Sequence, residues 1–189
     1  MRNALKLILT GFLAVLLLYG SSYATTIDFV PVSASIELGG SIDVDIVISG
    51  LNTDNLADFS LDVNYDEAIL SFTGYSLGTE LIDPVWGQDD WSDGDKGGGL
   101  INISELSWLM DFSLQPDAFV LATVSFDGMG VGTSALSISN LVLGNDNLEP
   151  ISAGVNGGSI DVVPEPTTML LFGIGLLGLA GVSRNKRVL

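Results

Sequence analysis

The 189-residue chain contains no histidine and no cysteine, and it has only six lysines and arginines. Without His or Cys it cannot build a zinc finger, a Ser-His or Cys-His triad, a haem-ligating histidine, an iron–sulfur site or a disulfide. Against the six bases stand 23 acids, a formal net charge of -17. That balance repels a phosphate backbone and excludes nucleic acid as a partner. Partners are expected to be neutral, cationic or bridged by divalent metal. What the chain has in surplus is apolar residues, 47% of the total, and the longest apolar runs lie at the two ends. The bases follow them: Arg2, Lys6, Arg184, Lys186 and Arg187 flank the terminal apolar runs, while between Thr25 and Val163 one base, Lys96, faces 22 acids.

At the N-terminus, Arg2 and Lys6 precede the apolar stretch Leu7 to Leu18, and Ser22-Tyr23-Ala24 supplies small residues for cleavage after Ala24. A basic start, a short apolar run and a small-x-small site make a secretory signal peptide over residues 1–24. A twelve-residue run, broken by Thr10 and Gly11, falls short of the ~20 needed to span a bilayer. Export through the Sec pathway is the expectation.

At the C-terminus, Pro164-Glu165-Pro166 is followed by an apolar, glycine-rich run within Thr167 to Ser183, and then by Arg184, Lys186 and Arg187. Seventeen residues lie at the lower edge of the ~17–25 range for a spanning helix. The basic cluster acts as a transmembrane stop that holds the end in the cytoplasm. A transmembrane helix is therefore expected in the tail, residues 164–189. The order of these three parts resembles the PEP-CTERM sorting domain, with Pro164, Glu165 and Pro166 as the sorting motif. The resemblance implies an exosortase-type sorting protease as partner and transient residence in the inner membrane. It also implies delivery to the outer surface or extracellular matrix of a Gram-negative bacterium that makes exopolysaccharide.

Residues 25–163 have the length of one domain. Ile42, Val44, Ile46 and Ile48 alternate with Asp43, Asp45 and Val47, and Phe59, Leu61, Val63 and Tyr65 alternate with Ser60, Asp62 and Asn64. Period two means strands with one buried and one wet face. Further strands are expected over 27–30, 69–75, 100–106, 119–127, 134–143 and 158–162, which makes eight. Such spacing predicts an all-β fold, a single jelly-roll-like β-sandwich. Glu105 to Phe112 is allowed a turn or two of helix. The run Asp58 to Phe72, the stretch Leu121-Ala122-Thr123-Val124-Ser125-Phe126 and the turn after Leu141 resemble the cohesin-type module, related to carbohydrate-binding architectures. This second resemblance implies the sandwich fold and a dockerin-like or other protein partner, or a polysaccharide. Asp83 to Gly99 reads as an insertion without a counterpart.

Several motifs bear on chemistry. Gly74-Tyr75-Ser76-Leu77-Gly78 satisfies the pattern of a nucleophile elbow, but a chain without histidine offers no base for Ser76. Asp89, Asp93 and Asp95, with Asp90 nearby, are candidate metal ligands for Ca2+, although the EF-hand spacing fails because Trp91 and Leu100 stand where ligands are needed. Trp86 and Trp91 are candidate ligand contacts that stack on sugar rings, unless both tuck onto the sandwich. Acids are so numerous that some pair must have the separation glycoside hydrolysis needs, which makes that signal uninformative. Asp43, Asp45 and Asp62 are expected on solvated faces. The expected function is a non-catalytic exported surface or exopolysaccharide-matrix protein that binds polysaccharide or a protein partner. The alternatives are a Ca2+-dependent structural matrix component and a small glycan-active enzyme using paired carboxylates.

Overall fold

The computed structural model describes residues 25–52, 54–165 and 171–177. Twelve strands follow one another: β1 (Thr25–Val30), β2 (Ser33–Glu37), β3 (Ser41–Ser49), β4 (Leu56–Asn64), β5 (Leu70–Leu77), β6 (Gln88–Asp90), β7 (Gly94–Asp95), β8 (Leu100–Ser107), β9 (Ala118–Gly128), β10 (Gly132–Asn145), β11 (Ala153–Val155) and β12 (Gly158–Val163). They form a five-stranded sheet in the order β11-β1-β3-β9-β5 and a seven-stranded sheet in the order β2-β12-β10-β4-β8-β6, with β7 also pairing with β8. The chain changes sheets between β1 and β2 through a cis Val30–Pro31 peptide.

Alternation is the cause of the sandwich. In β8 every second residue from Ile101 to Ser107 is buried, and in β3 Val44, Ile46 and Ile48 are buried while Asp43 is exposed. The two apolar faces close on each other, so Ile27, Phe29 and Val124 of one sheet share a core with Phe59, Leu61, Ile101 and Ile103 of the other. Burying an aliphatic or aromatic side chain of this kind contributes roughly 1.5–3 kcal/mol each. At one end Phe126 packs against Tyr65 with ring centroids 5.1 Å apart, and against Phe72 at 6.4 Å.

All eight expected strands are present, with bounds moved by up to three residues. Within Asp83–Gly99, the short strands β6 and β7 pair antiparallel with β8 and extend its edge. Two corrections concern the rest. The turn of helix allowed over Glu105–Phe112 does not form, because Glu105 and Ser107 continue the period-two alternation of β8 and the chain beyond is loop. In the tail, residues 171–177 are helical. At about 1.5 Å per residue such a segment covers only about 10 Å. Among the described residues no helix is long and apolar enough to cross a membrane, so the expected transmembrane helix is not supported. The signal cleavage residue Ala24, Pro166 and the basic cluster Arg184, Lys186 and Arg187 lie outside the described residues.

Candidate functional site

The outer face of the seven-stranded sheet is organised around Asp62. Its position in β4 alternates outward, yet the residue is only 6% exposed. Asn140 Nδ2 donates to one carboxylate oxygen at 2.7 Å, and Asn102 Nδ2 donates to the other at 2.8 Å. Asn102 arrives by direct cross-strand pairing with Asp62. Asn140 arrives by a different route: the register of β10 against β4 shifts between Ser139 and Val142, and Asn140 takes a φ of 51° within that bulge. Bulges of this kind re-aim side chains. Asparagine tolerates the left-handed region better than other non-glycine residues. These bonds from Asn140 and Asn102 hold the Asp62 carboxyl below the usual aspartate range. The expectation that Asp62 sits on a solvated face is therefore corrected, because its charge is spent on knitting three strands together.

Neighbouring polar groups are similarly tied. Asn64 Nδ2 donates to Ser139 Oγ at 2.9 Å, Ser104 Oγ donates to the Phe59 carbonyl at 3.1 Å, and Ser92 Oγ accepts from Ser104 N at 2.9 Å. The result is a prearranged polar surface with Val142 exposed within it and Trp91, 64% exposed, at its rim. Trp91 is set there by its backbone N–H, which donates to the Ser104 carbonyl at 2.9 Å.

Trp86 precedes β6 as Trp91 follows it, and it is 72% exposed. A tight loop fixes its backbone. Asp83 Oδ1 accepts from Val85 N and Trp86 N, both at 2.7 Å, while Asp83 and Gly87 exchange two backbone bonds of 2.8 Å. Gly87 has a φ of 80°, which suits glycine. With Trp108 and Met110, Trp86 lines a cavity of about 300 Å³. Neither tryptophan tucks onto the sandwich, and Trp91 is not part of that lining. The same loop exposes Val85, and the β8–β9 connection exposes Leu114.

The metal candidates are not brought together. Asp93 pairs with Lys96 at 3.0 Å, Asp95 Oδ1 accepts from Gly97 N, and Asp89 lies opposite Leu106. Among the described residues no group of three or more acids is placed to hold a metal ion. Ser76 is exposed on β5, a continuous strand rather than a strand-to-helix elbow.

One acid escaped sequence reading. Glu105 is 2% exposed, and neither of its carboxylate oxygens meets a donor among the described residues. Burial pushes its carboxyl up to about 8, and the charge of Asp90, directly opposite in the β6–β8 register, adds to the push. Burial also acts on Asp90, but bonds from Ser92 and Tyr75 outweigh it and hold that carboxyl low. Two acids driven apart in this way suit acid–base work. A polymer must still reach both, and Glu105 has no accessible face. The period-two pattern of β8 foretold an inward residue at 105 and nothing about its chemistry.

Comparison with known proteins adds two findings. The model of a PEP-CTERM protein-sorting motif matches residues 162–186. No curated protein matches the chain. Among solved structures, the sixth cohesin of Acetivibrio cellulolyticus scaffoldin B, determined in complex with a Cel5 dockerin mutant, is 18% identical with a TM-score of 0.63, covering 74% of this chain and 99% of that one. A type II cohesin domain from the cellulosome of Acetivibrio cellulolyticus gives 21% identity and a TM-score of 0.62 over 72% and 95%. A non-cellulosomal cohesin of Archaeoglobus fulgidus gives 18% and 0.58 over 77% and 96%. Identities this low speak for the fold alone. The chain is a cohesin-like β-sandwich carrying a PEP-CTERM protein-sorting motif at its C-terminal end.

Proposed function

We propose that the sandwich is a non-catalytic docking module for a protein partner, and that it binds through the outer face of the seven-stranded sheet. The observation that carries this reading is the Asp62 knot. Asn102 and Asn140 fix that face in one arrangement, so little ordering remains to be done on binding. An exposed Trp91 and Val142 beside a satisfied polar surface have the make-up of a protein interface, in which tryptophan anchors carry a disproportionate share of the energy. Similar structures include cohesins solved with dockerins, which makes a dockerin module the probe to use. Titration calorimetry against a panel of dockerin modules is expected to give saturable binding. Trp91→Ala and Val142→Arg should weaken it tenfold or more, and Asp43→Asn on the other sheet should not. Equal binding by all three variants would refute the assignment.

A second reading, polysaccharide binding in an exopolysaccharide matrix, is favoured by the Trp86 loop, whose rigid turn presents an indole beside Trp108 over an apolar cavity. On a glycan panel that reading requires binding without released reducing sugar, abolished by Trp86→Ala. Released sugar would instead support the glycan-active enzyme.

The route to the surface belongs to the same proposal. Cleavage after Ala24 leaves Thr25, the first residue of β1, at the new N-terminus. The Pro-Glu-Pro tripeptide begins at Pro164, immediately after β12, where Pro164 and Glu165 are exposed. Both cuts then spare the strands. Mass spectrometry of the exported protein should find Thr25 first, and replacing Pro164, Glu165 and Pro166 by alanine should leave an uncut form in the inner membrane. Unchanged processing would refute the role given to the motif.

A further inference from the structure

We infer that Glu105, Gln88 and Asp90 form a site for a divalent, oxygen-seeking cation of the Ca2+ class on the inner face of the β6–β8 edge. In that antiparallel pair Gln88 lies opposite Ser107 and Asp90 opposite Glu105. Directly paired residues and their i+2 neighbours share a face. All four side chains therefore point to the side on which Ile101 and Ile103 enter the core.

On that face acceptors outnumber donors. Both oxygens of Glu105 and the Oε1 of Gln88 are buried without a donor among the described residues. Ser107 brings no help, because its hydroxyl donates to the Leu81 carbonyl at 2.7 Å and accepts from Leu109 N. Nor, among the described residues, does a basic side chain. Lys96 is the one base between Thr25 and Val163, and it is paired with Asp93 on the surface. A buried carboxylate with no counter-charge is costly. A proton on Glu105 would turn one acceptor into a donor, which can meet only one of the remaining two. A hard cation satisfies carboxylate and amide oxygens together.

The second acid completes the set and supplies the way in. Asp90 is exposed at the sheet edge. Its carboxylate is held from two sides, by Ser92 N at 2.9 Å and by the Tyr75 hydroxyl, which reaches across from the opposite sheet at 2.8 Å. Each of its oxygens keeps a lone pair beyond those bonds. The donor atoms are all oxygen, and the chain has no His or Cys, so the set favours Ca2+ over metals that prefer nitrogen or sulfur. The site is distinct from the Asp89, Asp93 and Asp95 loop.

The test uses the full chain in detergent micelles at constant ionic strength, with Tb3+ and Ca2+ as probes. Tyr75, bonded to a ligand, is placed to sensitise Tb3+ luminescence. We expect saturable luminescence that Ca2+ displaces, and a Tm that rises by several degrees with Ca2+ and falls back with chelator. Glu105→Gln, which keeps the shape and removes the charge, should fold and lose both responses. Gln88→Leu, at the half-buried edge, should weaken Ca2+ at least tenfold, while Asp43→Asn should change nothing. No luminescence, equal responses in Glu105→Gln, or a Tm that ignores Ca2+ while falling as pH rises would each overturn the assignment, the last in favour of a buried proton.

Discussion

Asn140→Gly and Asn140→Ala, made side by side, test whether the outer face is held by the Asp62 knot. Both remove the 2.7 Å bond to Asp62. A hydrogen bond to a charged group contributes about 1.5–3 kcal/mol, and the lower end applies because Asn102 still holds the other oxygen. The backbone at φ 51° separates the two variants. Glycine adopts that conformation freely, but its extra unfolded-chain entropy costs roughly 0.5–1 kcal/mol and offsets the relief, whereas alanine pays about 1 kcal/mol more than asparagine does there. Net losses of about 1.5 kcal/mol for glycine and about 2.5 kcal/mol for alanine follow. A domain of this size loses roughly 3–5 °C of Tm per kcal/mol, so calorimetry should find falls of about 5–7 °C and about 8–12 °C. The pH dependence supplies a second check. The folded pKa of Asp62 is lowered, so its contribution is complete above the unfolded aspartate value of about 4 and is lost as pH falls through the lower folded value. The gap between wild type and Asn140→Gly should then be widest near neutrality and narrow below about pH 4. Equal falls for the two variants, or a gap that persists unchanged into acid, would refute the account of the bulge.

Three further outcomes follow from the packing. Phe126→Ala removes a ring that touches Tyr65 and Phe72 and is almost wholly buried; denaturant unfolding should show a loss of about 3–5 kcal/mol. Gly78→Ala places a Cβ only 1.9 Å from the Val120 carbonyl oxygen, and a loss of about 2 kcal/mol or more is expected because backbone must move. Gly74→Ala, with nothing within 4 Å of the new Cβ, should stay within about 0.5 kcal/mol of wild type, and such a result separates the two glycines of a motif that merely imitates a nucleophile elbow.

The alternation of β3, β4 and β8 made the sandwich legible, because period two has only one structural reading when the apolar set is this regular. The elements that escaped are those with no such signal. β2 buries little and β11 has three residues, so neither shows a pattern above its loops. β6 and β7 are short, rich in Asp and Gly, and held by partners in β8. The site divides the same way. Exposed Trp86 and Trp91 were visible as aromatics in a polar stretch. Asp62 looked like every other outward acid, because its partner Asn140 is brought over it by a bulge that no local sequence rule announces. Glu105 was hidden by context: a single acid in an apolar alternation reads as a break until its neighbours are known to be buried. Expecting metal ligands at Asp89, Asp93 and Asp95 rested on proximity in sequence, and in the sheet edge those residues answer to different partners.

Charge gives the remaining argument. Once both terminal segments are removed, the sandwich carries one base against 22 acids. The outer face of the five-stranded sheet concentrates part of that load, with Asp43 and Asp45 neighbours on β3 and Asp127 across the β3–β9 ladder. Among the described residues no cation neutralises them; instead Ser125 and Thr123 donate hydroxyl hydrogens to Asp43 and Asp45, each at 2.6 Å. Hydroxyls orient a carboxylate without cancelling its charge, so mutual repulsion must weaken the compact state. At about 0.1 M ionic strength screening acts over about 10 Å, and at 0.01 M over about 30 Å. The Tm should therefore climb steadily as NaCl is raised across that range, and Asp43→Asn should flatten part of the climb while leaving any specific response to Ca2+ intact. A Tm indifferent to NaCl would mean that these acids are already compensated, and would refute the reading of that face.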